Sequence, residues 1–167
     1  MDAIDPSRRQ VTFNGPLEAG IRAVALLGAA YPKAFDLQRL TALDYLLVRT
    51  KTIEGGPESL HPPTPLRSPE AEVRRRIVRQ GLVLMMSRDL VEEEAQKAGL
   101  MYVAGESAAV FLDALQSPYL LKVKDRAHWL IEHFIGYTDA EFKAIIRRYF
   151  EDWIIEFQEF ERSIGIT

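Results

Sequence analysis

The stretch "LVEEEAQKAGLMYVAGES", residues 90–107, changes the period of the chain. Helical spacing before it gives way to two short β-rich runs, "LVE" and "LMYVA", joined by a turn containing Gly99, which predicts a β-hairpin. Glu92, Glu93 and Glu94 are expected at its tip, opposed only by Lys97.

Three helices precede the hairpin. "PLEAGIRAVALLGAAY", residues 16–31, starts with proline at a first helical position and stops before Pro32. Glu18 and Arg22 form its only polar arc, so a central helix is predicted. Asp36 is placed to cap "LQRLTALDYLLVRT", where Leu40, Leu43 and Leu47 recur at helical spacing. The loop over residues 51–68 holds two glycines and four prolines and no apolar period; an irregular run of that length inside a domain is more often functional than idle. Ser68, Pro69, Glu70 and Glu72 suit the start of a third helix reaching about Ser87.

Behind the hairpin, Ser107 is expected to begin a capped helix, "AAVFLDALQ". Residues 119–135 form another, with Leu120, Val123, Ala127, Leu130, Ile131 and Phe134 on its apolar side and Gly136 at its end. Thr138 and Glu141 make a capping box that opens a last helix over 139–162. Helices followed by a hairpin predict a mainly α fold: a winged helix-turn-helix core over 13–116 and a C-terminal helical extension over 117–167, in a single domain.

The 167 residues suffice for one core, and 47% hydrophobic with 27% charged residues is ordinary for a soluble globular chain. Without cysteine, disulfides, thiolate metal sites and cysteine nucleophiles are excluded. No apolar run is long enough to span a membrane and "MDAIDPSRRQ" has no signal-like stretch, so a cytoplasmic protein is expected. A net charge of -3 argues against a dedicated nucleic-acid binder, because such proteins gain affinity by displacing counterions with basic surface.

On a helical wheel of the third helix, Val73, Ile77, Val78, Leu82, Leu84 and Met85 share one half. Arg75, Arg76 and Arg79 share the other, as a solvated face or as a ridge for phosphate or for a carboxylate-rich partner. Arg74 projects among the apolar residues, as Asp44 does on the second helix, which predicts a buried bidentate ion pair between them. The acidic hairpin disfavours DNA, since its carboxylates would be repelled by phosphates.

Chemistry is sparse. His128 and His133 lie about 140° apart around a helix and do not share a metal. His61 with Ser59 and Asp44 supplies the residue types of a hydrolytic triad, yet no G-x-S-x-G, H-E-x-x-H or phosphate loop accompanies them. No catalytic residue, cofactor or metal is therefore assigned, and His61 is expected to hydrogen-bond within its loop. Phe142, Ile146, Tyr149, Phe150, Trp153, Phe157 and Phe160 line one face of the last helix over about 27 Å, either as core or partly as an interface.

Four phrases carry a resemblance: "FNGPLEAGIRAVALLGAAYP", "FDLQRLTALDYLLVRT", "GGPESLHPPTPLRSPEAEVRRRIVRQGLVLMMSRDLV" and "AAVFLDAL". Over residues 13 to 135 the chain resembles the middle components of bacterial ABC-three-component (ABC-3C) conflict systems, a group related to the small subunit of Lamassu anti-phage systems. The resemblance implies a non-catalytic adaptor between a Rad50/SMC-like ABC ATPase and an effector protein. DNA would be touched weakly or indirectly, the membrane not at all, and a homodimer is compatible with the long last helix. The alternative is a winged-helix DNA-binding transcriptional regulator. Gly55, Gly56, Pro57, Ser59, Leu60, His61 and Arg67 match the most specific block. With Arg75, Arg76, Arg79, Phe150, Trp153 and Phe157 they are the expected partner-binding residues.

Overall fold

In the computed structural model, residues 15–62 and 68–148 are described. The first helix, α1 (Pro16–Ala30), has proline in its opening turn and buries Ala19, Ala23, Val24, Ala25, Leu26 and Leu27. A helix apolar almost all round must be covered on all sides. It packs most extensively against α3 (Ser68–Met86), then against α5 (Pro118–Phe134), with α2 (Leu37–Leu47) and α4 (Ala108–Ala114) completing its surroundings. Its crossing with α3 is close because both helices present glycine there: a Cβ on Gly81 would sit 2.6 Å from the Gly20 nitrogen and the Pro16 oxygen.

Three strands form a small antiparallel sheet in the order β1-β3-β2. β1 (Phe35–Asp36) pairs Phe35 with Tyr102, and β2 (Val91–Gln96) pairs with β3 (Gly99–Ala104) from Val91↔Ala104 to Gln96↔Gly99. Asp36 ends β1 and caps α2, its carboxylate accepting from the Arg39 amide at 2.7 Å. The chain leaves the tight turn at Lys97 and Ala98 through Gly99 at φ +124, a backbone angle that side chains resist.

Several expectations are corrected. Glu92, Glu93 and Glu94 are not at the hairpin tip but inside β2, opposite Val103, Tyr102 and Met101. An edge strand tolerates them because β3 supplies its hydrogen bonds on one side while the side chains remain in water. The strand β1 has no counterpart in the sequence reading, and a 3-10 turn at Thr50–Thr52 replaces the start of the expected loop. Val78, Leu82 and Met85 are buried on α3, but Val73 and Leu84 are exposed, since the narrow glycine crossing covers only one strip of the helix. Ser107 precedes α4 without a side-chain capping bond, whereas Ser117 caps α5 by accepting from the Leu120 amide.

The capping box forms reciprocally: Glu141 accepts from the Thr138 amide at 3.2 Å, and Thr138 Oγ1 accepts from the Glu141 amide at 3.1 Å. The helix it opens, α6, is described from residue 139 to 148. Its first aromatic belongs to the core: Phe142 is buried edge-on against Phe134, and Arg39 lies between the Phe142 and Phe35 rings while pairing with Asp139 at 2.7 Å. Tyr149, Phe150, Trp153, Phe157 and Phe160 lie outside the described residues.

Candidate functional site

The glycine- and proline-rich loop leaves the C-terminal end of α2 and is held there by backbone geometry. The Val48 carbonyl accepts from the amides of both Leu60 and His61 at 3.0 Å, returning the chain to its point of departure. Thr50, wholly buried, donates its hydroxyl to the Pro57 carbonyl at 2.9 Å, and Ser59 Oγ accepts from the Lys51 amide at 3.1 Å. Gly56 is required by contact, because a Cβ there would stand 1.9 Å from the Thr50 carbonyl oxygen. Gly55 adopts φ +78 with open space around it. From α5, Arg126 donates to the Glu58 carbonyl at 3.1 Å. The exposed Lys51–Glu58 pair at 2.9 Å adds little to this framework.

Beneath the loop lies a polar cluster enclosed by apolar side chains. Asp44 of α2 is 2% exposed, Arg22 of α1 3%, and Arg49, just past α2, 6%. Asp44 accepts from Arg22 Nε at 2.6 Å through Oδ1 and from Arg74 Nη1 at 2.6 Å through Oδ2, with Arg22 Nη2 at 3.5 Å from Oδ2. One carboxylate therefore ties three helices together. The structure brings Asp44 and Arg74 together through one guanidinium nitrogen, and the wider grip comes from Arg22, which the sequence places with Glu18 on the polar arc of α1. Its covered position on α1 explains the difference. The guanidinium groups of Arg49 and Arg74 both lie over the Tyr45 ring, with centroid distances of 4.6 and 5.5 Å.

Burial alone would push the Asp44 carboxyl up, but Arg22 and Arg74 together hold it below the usual carboxylate range. Arg22 is raised in turn, its burial outweighed by Asp44. Arg49 is lowered by burial and by Arg74. The three guanidinium groups therefore outnumber the one carboxylate.

That surplus explains His61. Its Nε2 lies 2.8 Å from the Tyr119 hydroxyl at the start of α5, so its partner is not inside the loop, as expected, but across from it. Burial and then Arg22, Arg49 and Arg74 bring its pKa down to about 4, so the ring is neutral at physiological pH. Tyr119 is raised by burial, opposed by the nearby Arg22 guanidinium, with which it also hydrogen-bonds. A neutral imidazole here can fasten the loop to α5 without adding to the positive charge. Ser59, engaged by Lys51, is not joined to His61 or Asp44 by any described hydrogen bond.

Gly55, Gly56, Pro57, Ser59, Leu60 and His61 thus fall in one loop, with Leu60 packed against the core. Arg67 lies outside the described residues, as do Phe150, Trp153 and Phe157. Arg75, Arg76 and Arg79 are exposed on α3, where Arg76, Arg79, Gln80 and Val83 line a groove of about 360 Å3. No described hydrogen bond or ion pair joins these three arginines to the loop. Sequence reasoning missed Arg22, Arg49 and Tyr119; for Arg22 the available signal was a charge inside an apolar helix. His133 stacks on Trp129 at 5.0 Å, and among the described residues no group of side chains is arranged to hold a metal ion.

The arrangement defines a mainly helical scaffold that presents a fastened loop over a buried ionic cluster. The chain belongs to the ABC-three component (ABC-3C) system Middle Component 2 family, whose model matches residues 12–156. That match continues past residue 135, where the resemblance in the sequence was expected to end, and takes in α6. No curated protein and no solved structure matched the chain. As a middle component, it is a partner of the other components of such a system. No helix among the described residues is long and apolar enough to cross a membrane.

Proposed function

We propose that the chain is a non-catalytic adaptor that couples a Rad50/SMC-like ABC ATPase to an effector in a cytoplasmic anti-phage conflict system related to Lamassu. The loop from Gly55 to His61 is its docking edge. The observation that carries this reading is the loop's fastening to two helices by hydrogen bonds to Val48, Thr50, Lys51, Tyr119 and Arg126. A segment already ordered before binding loses less conformational entropy when a partner arrives. The scaffold is read as one domain with a winged-helix core over 13–116 and helices behind it over 117–167. The element order helix, strand, two helices and hairpin, with sheet order β1-β3-β2, supports that assignment.

The test is co-purification of the full chain with the ATPase of its own system, followed by titration of the pair. Pro57→Ala combined with Glu58→Arg changes the outer side of the loop and should weaken the complex at least about tenfold, with melting temperature unchanged. Undiminished affinity in that variant would exclude the loop as the docking edge. A DNA-binding regulator is favoured by one observation, the groove beside Arg76 and Arg79. It requires duplex affinity that falls steeply with salt and flattens when both arginines are replaced.

A further inference from the structure

The groove on α3 has a neighbour of opposite charge. Register places Glu93 beside Tyr102 and Ala95 beside Leu100, on one face of the hairpin. β2 packs against α3, and beside that contact the Tyr102 hydroxyl is raised by burial and by Glu93 and lowered by Arg79. Yet no ion pair joins Arg75, Arg76 or Arg79 to Glu92, Glu93 or Glu94 among the described residues, and all six are exposed. The apolar elements match as well. Val83, 56% exposed, lies in the basic groove, while Leu100, 48% exposed, lies near the hairpin turn beyond the acidic strand.

We infer that this face is self-complementary and pairs with a second copy of the chain, the hairpin of each copy lying along the α3 groove of the other. A two-fold axis between two adjacent, oppositely charged patches sets each patch on its complement in the partner, because an isologous contact is made twice. Leu100 then meets Val83, and Glu93, on the Leu100 face of the hairpin, meets Arg76 and Arg79, which gives an apolar centre beside a charged rim. The inference goes beyond the adaptor reading, since it uses none of the loop residues. It also assigns the arginine ridge to protein rather than to DNA.

Sedimentation of the full chain across concentration and salt tests it. The expected result is a monomer–dimer equilibrium that weakens as salt rises. Arg76→Glu with Arg79→Glu should lower association at least about tenfold, as should Glu93→Lys, because like charges then face each other across the contact. These side chains are exposed, and unchanged circular dichroism confirms folding. Mixing the two variants is the decisive step. In the heterodimer one contact pairs two altered patches and the other two native patches, so attraction returns at both and dimer should reappear. Leu100→Ser should weaken every form. A chain that stays monomeric at all concentrations, a mixture that fails to dimerise, or growth into open head-to-tail assemblies would overturn the inference.

Discussion

Replacing Asp44 by alanine tests the buried cluster most directly, because one carboxylate pairs with two guanidinium groups on different helices. At an effective dielectric of ~20 each contact contributes about 4 kcal/mol of attraction at ~4 Å between charge centres. Desolvation of three ions offsets most of the sum in the intact cluster. Once the carboxylate is gone that offset turns into loss, since Arg22 is almost wholly covered and Arg74 largely so. Breaking a buried pair typically costs ~3–5 kcal/mol, and two stranded cations place Asp44→Ala at about 5 kcal/mol. A domain is stable by only ~5–15 kcal/mol, so the variant should be marginal at best. Urea titration followed by circular dichroism measures the change. The companion variant, Asp44→Leu with Arg22→Met and Arg74→Met, removes all three charges together and should fold with a midpoint near that of the unmodified chain. A loss below about 1 kcal/mol for Asp44→Ala would refute the reasoning that the carboxylate is what keeps two buried cations paired.

Two further predictions concern the loop. An unfolded histidine titrates near 6.5 and His61 is held to about 4, so between these values the unfolded chain binds more protons than the folded one. Stability should therefore rise as pH climbs through that window and be fully present above it. Partial solvent access to the ring limits the contribution to about 1–2 kcal/mol. His61→Gln should lose that slope in urea midpoints measured against pH, and parallel curves for the two proteins would exclude His61 as its source. Gly56→Ala forces a methyl group into the Thr50 carbonyl and should cost ~1–3 kcal/mol by overpacking. Hydrogen exchange at the Leu60 and His61 amides, both held by Val48, should accelerate in it, and unchanged protection would disprove the contact.

What could be read in the sequence divides along the range of the interaction concerned. Pro16, Asp36 and the Thr138–Glu141 pair act on backbone groups within one turn, so their residue types announce helix starts without knowledge of the rest. The strand Phe35–Asp36 exists only because β3, more than sixty residues later, offers it a partner, and two residues carry no period of their own. The run Glu92–Glu94 looked like a turn because charge disfavours strands, but the cost vanishes on an edge whose side chains stay wet. Polar burial shows the same division. Asp44 and Arg74 were paired from the sequence because each interrupts an apolar stripe, and a charge in such a stripe needs a counter-charge. Applied to Arg22, whose helical neighbours Ala19, Ala25 and Leu26 are apolar and only Glu18 is not, the same rule makes it an interior residue as well. The wheel of α1 could not say which side its neighbours cover. With α3 closed on α1 through Gly20 and Gly81, Arg22 is 3% exposed and its charge is met by Asp44.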